Sequence, residues 1–214
     1  MSAGTDPIRV GVAGAAGRMG QTVCAAVEGA EDMTLAGRAD PALGVALADI
    51  LGGASSSRLF QEVREKRGLA YNVYSFQSMY AGTGQVGLYL GTRPDNVVRA
   101  MSVVADELER MRQDPASDDE LARSKENVKG RIVLSLESTA ARMNRLGASV
   151  LADMPLMSGD EVIERIESVT IDDLTSLVDE LWAPGRLSAA GIGPDRERFE
   201  QALAAVEPTL AQSA

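Results

Sequence analysis

The sequence predicts an α+β fold, in which helices cover an antiparallel sheet and a partial β-α-β fragment precedes that sheet. A β-branched segment at the amino end runs directly into a glycine-rich turn. Further along, two segments with strand patterns flank a second glycine turn, and most of the remainder carries apolar residues at helical spacing. We expect two domains, residues 1–50 and residues 51–214, because the chain changes character at a Leu-Gly-Gly break.

The amino end has the pattern of a phosphate-binding loop. Residues 8–13 form a β-branched strand, and Gly-x-x-Gly-x-x-Gly over residues 14–20 follows it and opens a helix. This order can hold a pyrophosphate, because glycines permit close backbone approach and the helix start presents unpaired amides. A second short strand at residues 33–37 leads to Arg38 and Asp40, where such folds place an arginine for a 2′-phosphate or an acid that binds the ribose. The plainer alternative is that the glycines only permit a tight turn.

A helix and a hairpin are the next expected elements. Residues 41–50 are short and apolar at helical period, and residues 55–66 form a charged amphipathic turn. Aromatic and β-branched residues at 71–79 predict a strand, and strict alternation at 86–90 predicts its antiparallel partner. We therefore expect a hairpin with one face against helices.

Helices follow the hairpin. Pro94 begins one with a single apolar stripe, which consists of Val97, Met101, Val104, Leu108 and Met111. Capping boxes predict the starts of three more, at Ser117-x-x-Glu120, Ser158-x-x-Glu161 and, in a weaker form, Thr170-x-x-Asp173.

The carboxyl half predicts long helices and one more strand. A helical pattern covers residues 118–152 and is interrupted only by Gly130 and Gly147. Residues 182–185 predict a turn, residues 187–192 a last strand and residues 195–210 a terminal helix.

The composition excludes several kinds of chemistry. The 214 residues contain no histidine and one cysteine, Cys24, so a zinc site built by this chain would rely on carboxylates, and no internal disulfide can form. The formal charge of −10 argues against a nucleic-acid partner, which would need a basic face. Since no apolar run approaches the roughly 20 residues of a membrane span and no basic segment precedes the first apolar one, we expect a cytoplasmic protein with no membrane partner.

The string Gly-x-x-Gly-Arg-Met-Gly at residues 14–20, with Gly-Arg-Ala-Asp at residues 37–40, resembles the amino end of 4-hydroxy-tetrahydrodipicolinate reductase, an NAD(P)H enzyme of lysine biosynthesis. The resemblance covers residues 8–50 and implies a partial Rossmann-like fragment. It also implies a set of cofactor-contacting residues: Gly14, Gly17, Arg18, Met19 and Arg38. The catalytic histidines and the remaining strands of that family are missing, so we expect NADPH to bind weakly at best.

From Leu51 to about residue 194 the chain is similar to the carboxy-terminal domain of insulinase/pitrilysin-type metallopeptidases, in particular the small bacterial relatives of the mitochondrial processing peptidase. Three stretches carry this resemblance, at residues 51–75, 122–130 and 134–147. That family is built from two similar α+β halves, and the first half holds the H-x-x-E-H zinc motif. This chain corresponds to the second half, so the resemblance implies that it has no zinc ligands.

The same resemblance implies roles for Arg64 and Tyr71. In the family, an arginine and a tyrosine at this spacing reach the substrate near the metal. A guanidinium and a phenol can donate hydrogen bonds to a carbonyl oxygen that becomes an oxyanion. The alternative is that Tyr71 packs against a helix and Arg64 is a solvated helix charge.

Three functions remain open on the sequence alone. The first is a non-catalytic interaction domain that forms a peptidase chamber with a histidine-bearing subunit or with itself. The second is a truncated reductase of lysine biosynthesis. The third is a joined fragment without a selected function, since the two resemblances meet near Leu51. In the first case we expect no catalysis by this chain alone and no bound cofactor.

Overall fold

The described part of the chain is mostly helical and contains two small sheets of two strands each. The computed structural model describes residues 8–13, 25–26, 29–30, 33–39, 41–80, 83–114, 116–151, 155–183 and 185–212. No helix within these ranges combines the length and apolar character that crossing a bilayer requires.

The first sheet pairs β1 (Ile8–Ala13) with β2 (Met33–Ala39) in parallel. Both strands were predicted from the sequence. A parallel pair needs a crossover connection, but the glycine-rich turn and most of the expected crossover helix lie outside the described residues. The Rossmann-like character of this segment therefore stays a prediction.

The second sheet is the predicted hairpin. Strand β3 (Ala70–Tyr80) pairs antiparallel with β4 (Thr83–Thr92). The inner face of β3 carries buried Val73 and Ser75 against the helices, and its outer face is exposed. The alternation in the sequence thus produces the two-faced sheet that period-two patterning predicts.

Helix α1 (Pro41–Ala48) continues into a π-helical turn, Asp49–Gly53, and both pack against β3. A side chain at Gly52 would meet the backbone nitrogen of Ser75 at 2.6 Å, so only glycine permits this close approach. The Ser75 hydroxyl donates to the Ala48 carbonyl at the same contact. Since α1 shares a core with the later elements, residues 41–50 pack with the second expected domain; the boundary at residue 51 itself stays a prediction.

The remaining helices pack on α1 or on one another. Their bounds are α2 Val97–Gln113, α3 Asp118–Glu137, α4 Thr139–Leu151, α5 Gly159–Ser168, α6 Ile171–Leu181, α7 Arg196–Val206 and α8 Pro208–Gln212. All three capping boxes form, and the one at Thr170 and Asp173 is as complete as the others.

Three expectations about the carboxyl half were wrong. The long helix breaks at Ser138, whose backbone is extended and whose hydroxyl accepts from the Ala141 amide, whereas Gly130 and Gly147 lie inside helices. Residues 187–192 form no strand, because β3 and β4 pair with each other and this segment has no ladder partner among the described residues. The terminal helix divides at Pro208, which ends α7 and begins α8.

One apolar core joins α1, the hairpin and helices α2, α3, α5 and α6. Its largest fully buried apolar side chains are Leu47, Leu51, Leu59, Val63, Val104, Met111, Val169 and Leu174. Val104 and Met111 belong to the predicted stripe of α2, so the stripe faces the core as expected. Helix α4 differs from the others because none of its residues is buried.

Candidate functional site

The site begins with a short helical segment whose inner side is fixed by burial and by ion pairs. A π-helical segment, Phe60–Glu65, buries Val63 completely and leads into a turn at Gly68, where the backbone has φ of 58°. Glu62 accepts from Lys66 and Arg67, and these bonds lower the pKa of its carboxyl. The inner side of the helix is therefore fixed, and Arg64 projects from the outer side.

The turn brings Arg64 back against the start of β3. The Arg64 guanidinium carbon lies 4.7 Å from the centroid of the Phe60 ring and 5.0 Å from that of the Tyr71 ring. These are distances at which a cation and an aromatic face attract. Because its planar group lies between two rings, Arg64 is oriented rather than free, although its side chain is 37% exposed.

The orientation of Tyr71 results from an irregularity in the pairing of β3 with β4. The pairing shifts between Ala70, opposite Thr92, and Asn72, opposite Gly91, so Tyr71 is an extra residue with no partner on β4. Such bulges redirect a side chain out of the regular alternation. Tyr71 is 84% exposed, and its hydroxyl bonds to none of the described residues.

The structure thus brings the two predicted contact residues together. A phenol and a guanidinium lie side by side, and both are open to solvent and able to donate. In the structure Tyr71 is exposed, and its ring lies against the Arg64 guanidinium of the preceding helical segment. Whether this pair touches a substrate stays a prediction.

Sequence reasoning missed the aromatic surface beside this pair. Tyr74 and Tyr89 are cross-strand partners on the outer face of the hairpin, with ring centroids 5.0 Å apart, and Phe76 lies 6.1 Å from Tyr74. The Phe76 ring covers Gly87 so closely that a side chain there would lie 2.4 Å from it. The signal was present in the sequence, since tyrosine and phenylalanine alternate with the buried positions of β3.

The five expected cofactor contacts belong to residues 8–50. Gly14, Gly17, Arg18 and Met19 lie outside the described residues, and Arg38 is placed in β2 by its backbone. Weak NADPH binding therefore stays a prediction. In the parts of the chain that the structure covers, no three His, Cys, Asp or Glu residues gather as metal ligands would.

Comparison with known proteins identifies relatives for the helical part. Residues 34–128 match the family model described as the peptidase M16 inactive domain. The chain is 45% identical over 157 residues to an uncharacterized zinc protease of Streptomyces coelicolor, covering 73% of this chain and 34% of that protein. A similarly named protein of Bacillus subtilis is 37% identical and shares 64% of this chain and 34% of its own length.

Solved structures agree with this fold. The peptidase M16 inactive domain from Pseudomonas fluorescens superimposes with a TM-score of 0.57 and 28% identity, over 64% of this chain and 33% of that one. A conserved protein from Enterococcus faecalis gives a TM-score of 0.56 at 26% identity, over 65% and 32%. The chain spans about a third of the length of these relatives. The comparisons give no support to the reductase resemblance of residues 8–50.

Proposed function

We propose that this chain, whose residues 34–128 match the peptidase M16 inactive domain model, completes a peptidase chamber together with a separate subunit that binds the zinc. The chain itself contains no histidine, so it cannot supply the usual nitrogen ligands of such a site. In this proposal the metal and the activated water belong to the partner, and no cofactor is bound by this chain.

The arrangement of Arg64 and Tyr71 is the observation that carries the proposal. Stacking holds Arg64 in place, and the bulge turns Tyr71 outward, so that both donors face the same open space. A substrate carbonyl held there by the zinc subunit would receive hydrogen bonds as charge develops on its oxygen. Neither residue generates a nucleophile, which is why the chain alone is expected to be inactive.

The test combines the purified chain with a separately expressed subunit that carries the H-x-x-E-H motif and follows cleavage of a fluorogenic peptide. We expect no chelator-sensitive cleavage by the chain alone and clear cleavage by the mixture. Arg64→Ala or Tyr71→Phe should each lower kcat/KM of the mixture by about a hundredfold to a thousandfold, as loss of one oxyanion donor does.

Two matched variants separate this role from general damage. Arg99→Ala removes another exposed arginine, and Tyr74→Phe removes another exposed phenol of the hairpin. Both should leave the activity of the mixture close to that of the parent. Chelator-sensitive cleavage by the chain alone, or equal losses from the matched variants, would contradict the proposal.

A further inference from the structure

A polar cleft lies on the other side of α1's carboxyl end, between the turn at residues 54–57 and helix α3. Its volume is about 290 Å³. It is lined by Asp49, Ile50, Gly53, Ala54, Ser55, Ser56, Ser57, Glu120, Arg123, Asn127 and Arg131. No role in the proposed chamber uses these residues, and a cleft of this size accommodates one small charged group.

One face of α3 supplies the donors of the cleft. Arg123, Asn127 and Arg131 are spaced four residues apart, so they lie above one another on successive turns. Opposite them, the exposed turn adds the hydroxyl groups of Ser55 and Ser56. The cleft therefore has guanidinium and amide donors on one wall and hydroxyls on the other.

Both carboxylates of the cleft are already compensated. Asp49 is buried, and its Oδ1 accepts from the Arg131 guanidinium at 2.8 Å and from Asn127 Nδ2 at 2.9 Å. Glu120 accepts from Arg58 Nε at 2.8 Å and Nη2 at 2.9 Å, and these bonds hold the pKa of its carboxyl at about 2. Each of the two carboxylates is thus paired with its own arginine, and neither is available to neutralise a further cation in the cleft.

Arg123 is the cation that remains. Arg131 pairs with Asp49 and Arg58 pairs with Glu120. Arg123, in contrast, makes no hydrogen bond or ion pair with any described residue. An unpaired guanidinium presents parallel N–H donors, which match the two oxygens of a carboxylate or a phosphate, and the nearby hydroxyl groups can donate as well.

We propose that this cleft binds an oxyanion, a carboxylate or a phosphate group, with Arg123 as the main charge donor and Arg131 as the second. Asp49 and Gly53 orient Arg131, because its guanidinium bonds both the buried carboxylate and the Gly53 carbonyl. The chain as a whole carries a formal charge of −10, which repels anions over long range. Binding therefore depends on the local donors and is specific to this cleft.

The test titrates the full chain with inorganic phosphate and, in a second arm, with acetate, while chloride keeps the ionic strength constant. Backbone amide and arginine Nε signals are followed by NMR. We expect saturable shifts at residues 53–57 and along α3. Arg123→Gln should weaken binding by about tenfold or more, as the loss of a charged hydrogen-bond donor does.

Arg99→Gln is the matched control, because it removes the same charge from another exposed helical arginine that does not line the cleft. Saturation by phosphate alone assigns phosphate groups to the cleft, saturation by acetate alone assigns carboxylates, and saturation by both assigns either oxyanion. Shifts that grow linearly in both arms, or equal losses from Arg123→Gln and Arg99→Gln, overturn the proposal. Since no second subunit is needed, the result is independent of the proposed chamber.

Discussion

At the scale of single residues, two carboxylates show opposite consequences of their surroundings. Glu120 bonds Arg58 through both oxygens and also caps α3, so folding favours its charged form. Glu107 is 2% exposed, and its Oε2 has no hydrogen-bond partner, although its Oε1 pairs with Arg110 at 2.8 Å. Burial raises the pKa of Glu107, whereas the bonds to Arg58 lower that of Glu120.

The Glu120 pair predicts a defined loss of stability at low pH. Its pKa falls from 4.5 in the unfolded chain to about 2, so the stabilisation is complete above pH 4.5 and is lost as the pH falls towards 2. Glu120→Gln keeps the capping geometry and removes the charge. Urea titrations should show that the substitution lowers the free energy of unfolding by about 2 to 3 kcal/mol at pH 7. The difference between variant and parent should shrink below pH 4.5.

Glu107→Gln serves as the contrasting variant in the same titrations. Because a raised carboxyl pKa means that folding favours the protonated form, the natural residue costs stability at neutral pH and costs less as the pH falls. The substitution should therefore raise the free energy of unfolding at pH 7, by an amount that declines with pH. The same sign for both variants would contradict the roles assigned to the two carboxylates.

At the scale of elements, a helix start can be tested alone. The Ser158 hydroxyl accepts from the Glu161 amide, and the Glu161 carboxylate accepts from the Ser158 amide. Since α5 places Ile166 in the core, Ser158→Ala should lower the free energy of unfolding by about 1 kcal/mol. Ser168→Ala, at the exposed end of the same helix, should change it much less in the same denaturant titrations. Equal effects would show that the box does not stabilise α5.

The elements also show what a sequence can predict here. Capping boxes and the hairpin depend on residues a few positions apart, and all of them form as expected. The pattern at residues 187–192 is apolar enough for a strand, but a strand also needs a free edge to pair with. Gly191 instead lies against the ring of Phe199, which has no local signature. The break at Ser138 was not predicted because glycine is the more usual signal of a helix end, whereas here a serine caps the following helix.

The candidate site also depends on contacts that could not be predicted from the sequence. The resemblance supplied Arg64 and Tyr71, but not the Phe60 ring that completes the stack or the bulge that turns Tyr71 outward. The oxyanion cleft was not predicted, because Asp49 meets Asn127 and Arg131 across more than seventy residues of sequence, 78 for Asn127. Contacts of that kind arise only after α1 and α3 have packed together.

At the scale of the whole molecule, the chain leaves apolar surface uncovered. Helix α4 is amphipathic, yet Met143, Leu146 and Val150 along one of its faces are exposed, with Val150 at 65%. Leu134 and Leu151 are exposed as well.

The surface around α4 predicts association of the isolated chain. Contiguous apolar area of this kind is normally covered by a partner or drives self-association. We expect light scattering at roughly tens of micromolar to show a dimer or larger species. The double variant Met143→Lys/Val150→Lys should be monomeric, because it places two charges on the apolar face of α4. The double variant Asn144→Lys/Ala148→Lys adds the same charge on another face and should associate as the parent does. A well-behaved monomer for the parent would mean that other residues of this chain already cover α4.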